Sequence, residues 1–301
     1  MDRHIPRIML FPETAAEFER IFPDEKTCTS YLFHVRWPDG FTCPHCRWQT
    51  ADIRPSRTIV CPHCGNHTSL TTATVMHGTK KPLCCWLCAI WWLCSNDNGT
   101  SAKDLQRLLH LSSYQTAWTW MQKLRMVMAS ADRIPCRGTV ECGCGTVAPA
   151  WERDQRALVL AAAESVRPEG ITGRIRMRMI RELSTETIRL FLRDTVEPGS
   201  SILAPGLAAF LGDDTLESAG LTAATSSQPV RITEIISRFE IWLNRIHRGG
   251  VALKHMQHYL DEFCFRNNSS LLPDRKAVFT ALLQGCMAGR AKPYRELVRQ
   301  R

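Results

Sequence analysis

Residues 43–64 read Cys43-Pro44-His45-Cys46-Arg47-Trp48-Gln49-Thr50-Ala51-Asp52-Ile53-Arg54-Pro55-Ser56-Arg57-Thr58-Ile59-Val60-Cys61-Pro62-His63-Cys64. Two identical Cys-Pro-His-Cys knuckles thus stand fourteen residues apart. Two residues between thiols let one tight turn aim both sulfurs at a point, and two such turns supply the four ligands of tetrahedral zinc. The spacing predicts a zinc ribbon with Cys43, Cys46, Cys61 and Cys64 as ligands. Free thiols or a redox dithiol pair are the competing readings of the same cysteines. His45, His63 and His67 offer alternative ligands; with four cysteines present they read as surface histidines that could touch a phosphate. A closed four-thiolate site is structural, so this end of the chain reads as a small binding module.

Composition points the same way. The chain has 301 residues, room for two or three domains, with 44% hydrophobic residues and a net charge of +9. The pI of about 9.0 favours a polyanionic partner, nucleic acid above all. Fourteen cysteines are present. The ten outside the knuckles sit mostly among apolar residues, and unpaired thiols beside a zinc site imply a reducing compartment. The start, Met1-Asp2-Arg3-His4-Ile5-Pro6, is no signal peptide. The most apolar stretch, Leu83 to Cys94, is too short to span a bilayer. These features predict a soluble, cytoplasmic protein without a membrane partner.

Periodicity places helices over 12–36, broken at Pro23-Asp24-Glu25, then a turn at Trp37-Pro38-Asp39-Gly40. Within the ribbon, Arg54 and Arg57 precede a strand-like Thr58-Ile59-Val60. Lys80 and Lys81 add charge before an apolar helix over Pro82–Asn96. Ser101 caps a helix over Ala102–Leu109, and a short turn leads to a long helix from Ser112 or Ser113 to Ala129. Its apolar seam is Ala117, Met121, Leu124 and Met128. Helix, short turn and helix is the pattern of a helix-turn-helix. Ser113, Tyr114, Gln115, Thr116, Lys123 and Arg125 are its candidate contacts to bases and phosphates; a plain helical bundle with a solvated face is the competing reading.

Residues 130–137 read as a linker. Strands are expected over Val140–Thr146, Leu158–Ala163, Gly173–Ile180 and Ser201–Leu203, with a turn at Pro168-Glu169-Gly170 and a helix over Ser184–Thr195. One short strand is expected within 212–230, and helices over Arg231–Arg248, Leu253–Phe265 and Asp274–Ala288. Strands followed by alternating strand and helix fit a three-layer α/β domain. In Gly173-Arg174-Ile175-Arg176-Met177-Arg178-Met179 the three arginines share one strand face, about 6.6 Å apart. That row matches phosphate spacing, or else is a solvated sheet face.

The order of parts resembles bacterial insertion-sequence transposases of the zinc-ribbon class, whose DDE-type catalytic domain has the RNase H-like fold. The segments that carry the resemblance are Phe22-Pro23-Asp24-Glu25, Trp37-Pro38-Asp39-Gly40-Phe41-Thr42-Cys43-Pro44-His45-Cys46, Gly99-Thr100-Ser101-Ala102-Lys103-Asp104-Leu105-Gln106-Arg107, Gln115-Thr116-Ala117-Trp118 and Lys254-His255-Met256-Gln257-His258-Tyr259-Leu260-Asp261-Glu262-Phe263. The resemblance implies an α+β multidomain chain: a helical lead over 1–40, the ribbon over 41–72, a helix-turn-helix domain over 73–130 and an RNase H-like domain over 138–301.

It also implies Mg²⁺-dependent phosphodiester chemistry, which needs hard carboxylates around two ions. Here the sequence departs from the family. The first-strand pattern Val-Glu-x-Asp reads Val140-Glu141-Cys142-Gly143, and the Thr-Asp-Gly pattern reads Ala204-Pro205-Gly206. Gly143 and Pro205 therefore stand where carboxylates belong, with Glu141 and Glu234 as remnants near the site. Cys136, Cys142 and Cys144 suggest either a second metal or redox site or small residues filling a former metal pocket. The expectation is a nuclease-dead, sequence-specific binder of double-stranded DNA resembling inverted repeats. It would bind structural zinc, form a homo-oligomer and associate with the bacterial nucleoid. The rival readings are an active Mg²⁺-dependent transposase or nuclease with displaced ligands, and a protein-interaction subunit of a nucleoprotein complex.

Overall fold

Capping side chains start the N-terminal helices where the sequence offers them. Thr14 accepts the N–H of Glu17 at the head of α1 (Ala15–Ile21), and Asp24 accepts that of Thr27, at 2.7 Å, at the head of α2 (Glu25–Arg36). The computed structural model describes residues 11–50, 52–54, 56–148, 156–166, 171–217, 219–223, 231–247, 250–272, 274–290 and 292–299. The opening hexapeptide, the Pro168-Glu169-Gly170 turn and Arg248 lie outside the described residues.

After α2 come the short strands β1 (Asp52–Ile53), β2 (Thr58–Val60) and β3 (His67–Ser69), paired antiparallel in that order. Three helices follow: α3 (Leu83–Ser95), α4 (Ala102–Leu108) and α5 (Tyr114–Ala131). Next are β4 (Thr139–Val147), β5 (Ala157–Val166), β6 (Ile171–Ile180), α6 (Thr185–Thr195), β7 (Ser201–Leu203), a 3-10 turn over Pro205–Phe210, α7 (Asp213–Glu217) and β8 (Thr222–Ala223). The chain closes with α8 (Ile232–Ile246), α9 (Met256–Ser269), α10 (Arg275–Ala288) and α11 (Tyr294–Arg299).

The chain divides into two compact units. One holds the described residues up to Val127 and those of 274–299; the other holds 128–272. The C-terminal helices therefore leave the domain in which the sequence reading placed them. The cause is apolar packing within the first unit. Phe279, Leu282, Leu283 and Cys286 of α10 are buried, Phe279 meets the Phe11 ring edge-on at 5.6 Å, and the Val75 N–H donates to the Cys286 carbonyl. Gly285 permits this approach, since a Cβ there would lie 2.6 Å from Val127 Cγ1.

Within the first unit, α4 opens with a capping box between Ser101 and Asp104. Its Gln106 side chain then donates to the Leu111 carbonyl and so closes the turn into α5. Cys28 and Cys84, expected as unpaired thiols, are joined by a disulfide from α2 to α3. Nothing in their local spacing announced it, because they lie 56 residues apart.

The second unit is a five-stranded sheet in the order β6-β5-β4-β7-β8. β4 pairs antiparallel with β5 and parallel with β7, and β5 pairs antiparallel with β6. α8 and α9 bury Ile232, Ile236, Phe239, Tyr259 and Phe263 against one face. α6 and the 205–217 segment bury Ile188, Phe191, Leu207 and Leu216 against the other. This is the three-layer domain expected, although the supposed linker belongs to it. α5 runs on to Ala131, and Cys136 bridges in parallel to Val196.

β6 is the sheet's edge, and α9 covers it with side-chain amides. Gln257 accepts from the Met179 N–H at 2.8 Å and donates to the Met177 carbonyl at 3.2 Å. Asn268 accepts from the Ile175 N–H at 2.8 Å and donates to the same residue's carbonyl at 3.0 Å. Among the described residues no helix is long and apolar enough to cross a membrane.

A cleft of about 340 Å³ in this unit is lined by Asp132, Arg176, Arg178, Gln257, Asp261 and Cys264, among others. Burial pushes the Asp261 carboxyl up to about 6; Arg176 and Arg178 oppose that shift and Asp132 adds to it. Because the folded value exceeds the ordinary 3.8, this group's contribution is best below pH 4, is lost as pH rises to 6, and stays lost at pH 7. Asp261→Asn keeps the acceptor for Gln257. It should raise stability at pH 7 by at most about 3 kcal/mol, less whatever water in the cleft screens, and should flatten the stability profile between pH 4 and 6. Denaturant unfolding of the full chain across that range measures both; a less stable variant at pH 7 contradicts the assignment.

Candidate metal centre and nucleic-acid interface

The four knuckle thiols converge. All four Sγ atoms lie within 4.8 Å of one another, with Cys43 to Cys64 at 3.7 Å and Cys46 to Cys61 at 3.6 Å. Backbone amides shape each knuckle: Arg47 N–H donates to the Cys43 carbonyl, and Gly65 N–H to that of Cys61. The N–H of Cys46, and then that of His45, lowers the Cys43 thiol to about 6, while burial and the thiols crowded together hold Cys46 and Cys64 up; the first thiolate forms readily, and a metal's charge would draw out the rest. Four converging thiols fit Zn²⁺ in number and softness. Among the described residues this is the one group of three or more His, Cys, Asp or Glu side chains placed to hold a metal. Cys136 and Cys142 are instead buried in an apolar core, and burial raises both thiols. The second metal site considered for Cys136, Cys142 and Cys144 is therefore not formed.

The ribbon is tied to its helices by two charged side chains that sequence reading missed. Glu25 accepts the N–H groups of Leu83 and Cys84 at the head of α3 and pairs with Arg57 Nε at 2.8 Å. It thus supplies the cap that Pro82 cannot. Arg36 donates to the carbonyls of Ser69, Leu70 and Thr72.

The candidate nucleic-acid contacts separate into two groups. Arg54, Lys80, Tyr114 and Gln115 are exposed, while Lys81, Ser113 and Thr116 are half-buried. The others are engaged within the protein, and for the buried Arg125 the expectation is corrected. Arg57 pairs with Glu25. Lys123 donates to the Val75 carbonyl and lies over the Trp86 ring. Arg125 is 1% exposed, because α5 buries more than its predicted seam, with Trp120, Gln122 and Val127 also covered.

The arginine row of β6 shares one face, as alternation predicted, and each of its guanidinium groups is engaged within the protein. Arg174 and Arg176 each reach Asp132 at 2.6 Å with their side chains largely covered. Arg178 pairs with Asp194 at 3.2 Å and lies over the Phe191 ring. The segment after α5, read as a linker, supplies Asp132 and takes up the charge.

At the positions where the family resemblance implied metal carboxylates, β4 meets α8. A Cβ on Gly143 would stand 3.1 Å from Ile232 Cγ2, and one on Gly145 would stand 2.8 Å from Ile236 Cδ1. Pro205 is exposed and begins the 3-10 turn. Glu141 is buried and accepts the Arg231 N–H at 2.7 Å, with the Arg231 guanidinium 3.7 Å away. Glu234 is exposed on α8. Two Mg²⁺ ions need several carboxylates converging with free oxygens; these residues do not fit such a pair.

Ribbon, helical pair and three-layer sheet together make a multidomain α+β protein. Two family profiles match it: the ISXO2-like transposase domain over residues 145–268 and the transposase zinc-ribbon domain over 23–57. The chain belongs to the insertion-sequence transposases. The first match begins just past Gly143, and the second reaches only the first knuckle. No curated protein and no solved structure matches the chain.

Two outcomes follow. Cys61→Ser should release zinc and unfold the ribbon, since structural zinc contributes roughly 10–16 kcal/mol to small modules; metal analysis and a chelator-release assay test this, and full zinc retention contradicts it. Gly143→Asp combined with Pro205→Asp should not create Mg²⁺-dependent cleavage, and Gly143→Asp alone should cost about 3 kcal/mol or more. A plasmid-nicking assay and thermal melting decide the second.

Proposed function

We propose that this chain is a nuclease-dead member of its family that acts as a sequence-specific binder of double-stranded DNA. The observation that carries the reading is the contact of Gly143 with Ile232: an apolar helix face occupies the place where a first metal carboxylate would stand. The pairing of Glu141 with Arg231 supports it, since a carboxylate already answered by a guanidinium makes a poor Mg²⁺ ligand.

The ribbon and the α4–α5 pair read a site resembling an inverted repeat. Tyr114 and Gln115, exposed at the first turn of α5, face base edges, and Arg54 and Lys80 face phosphates. The protein works as a homo-oligomer in the bacterial cytoplasm, on the nucleoid, alone or within a larger nucleoprotein complex.

Selection of bound fragments from random and genomic DNA pools, with and without Mg²⁺, tests this reading. One enriched motif without cuts is expected. Mg²⁺-dependent cuts overturn the nuclease-dead assignment, and no enrichment in any pool overturns sequence-specific binding.

A further inference from the structure

The ribbon carries a feature that neither zinc binding nor packing uses. Trp48 follows the first knuckle and remains 46% exposed. Its ring stacks on the imidazole of His63 in the second knuckle, with centroids 4.8 Å apart and planes within 16°. The Trp48 main chain is held by its carbonyl, which accepts the Cys43 N–H at 2.8 Å. The two knuckles thus hold a two-ring plate at the surface. A single exposed aromatic is ordinary; what sets this one apart is that the imidazole of the second knuckle stacks on its ring at the surface.

We propose that Trp48 is a stacking platform for an unpaired DNA base. This rests on the DNA-binding reading above and goes beyond it. Charge around the plate selects the occupant. Residues 41–72 contain three arginines and one acid, Asp52. Glu25 answers Arg57, which leaves Arg47 and Arg54 exposed and cationic. An aromatic plate on a ribbon that also exposes Arg47, the residue before Trp48 in the chain, and Arg54 fits a single nucleic-acid strand: a base can lie on the ring while the backbone phosphates meet positive charge on the same ribbon. A protein partner would want a continuous apolar patch, yet Ile53 is the other large apolar residue exposed among the described residues of the ribbon. A fully paired duplex offers no free base face except at its ends. The platform therefore favours a strand that is unpaired, at a bubble, junction or end.

The test uses the full chain and three fluorescent probes: a fully paired duplex, the same duplex with a central unpaired thymine tract, and the corresponding RNA strand. The wild type should bind the bubble most tightly. Trp48→Ala should weaken bubble binding about tenfold while leaving the paired duplex within about twofold, and Trp48→Phe should retain most of the affinity. Ultraviolet cross-linking to 5-iodouracil in the tract should place the adduct on Trp48.

Failure of the proposal is distinct from failure of the reading beneath it. Duplex binding with no preference for the bubble, or bubble affinity unchanged in Trp48→Ala, overturns the platform and leaves DNA binding standing. Tighter binding to RNA overturns the assignment to DNA. No binding to either DNA probe overturns both. Should Trp48→Ala lose its zinc, Trp48→Phe and the cross-link decide, and an adduct elsewhere rejects the platform.

Discussion

The second unit depends on the absence of two side chains. Gly143 and Gly145 share one face of the central strand, and α8 lies directly on them through Ile232 and Ile236. A Cβ at either position would press on these isoleucines, so Ile232 would have to give by a few tenths of an ångström and Ile236 would have to turn its end aside. Because the helix comes this close, Ile235, Phe239, Trp242 and Leu243 bury with it. The same descent brings Arg231 to Glu141 and so answers the one acid left buried on that strand. The arrangement is self-consistent in a way that opposes metal binding. A carboxylate at Gly143 would need room that Ile232 occupies, and a charge in this apolar seam would lack the hydration or partner that offsets burial.

Charge inside the second unit follows the same logic of internal satisfaction. Asp132 receives Arg174, Arg176 and the Asn268 amide, so a carboxylate with two arginines is also tied to the amide that caps the edge of β6. Arg266 pairs with the buried Glu262 in α9. These cations add to the net charge of the chain without presenting it to a polyanion. The positive field that can act outward lies with residues such as Arg47, Arg54 and Lys80 in the ribbon and the segment after it. Net charge was a sound argument for a nucleic-acid partner, but a poor guide to which arginines would meet it.

What the sequence made legible was local. Knuckle spacing, the cap at Ser101 and alternation along β6 each depend on near neighbours, and each appears in the structure. What it concealed was set by distant partners. The inward turn of the β6 arginines depends on Asp132, some forty residues earlier. The burial of Arg125 depends on how many elements surround α5, and the return of α10 to the first unit depends on apolar matching with helices near the other end of the chain. Gly143 and Gly145 sat between these cases. Paired glycines two apart on a strand signal close approach; Gly143 taken alone shows a missing carboxylate, and only the pair shows the seat of a helix.

The first unit shows how a small ribbon is held firmly rather than left as a loose appendage. Three short strands and a metal knuckle bury little apolar surface of their own. Arg36, in the last turn of α2, collects three carbonyls from the end of β3 and beyond. Glu25, in the first turn of the same helix, joins Arg57 of the ribbon to the head of α3. One helix thus grips the ribbon at both of its ends, and the disulfide from Cys28 to Cys84 fastens that helix to α3. Because the knuckle turns set the backbone of Trp48 and His63, the two rings stack, and α2 ties the ribbon to α3, the exposed indole has a defined place on the unit. A platform held in this way loses little freedom on contact, so the stacking energy goes into affinity rather than into ordering the ring.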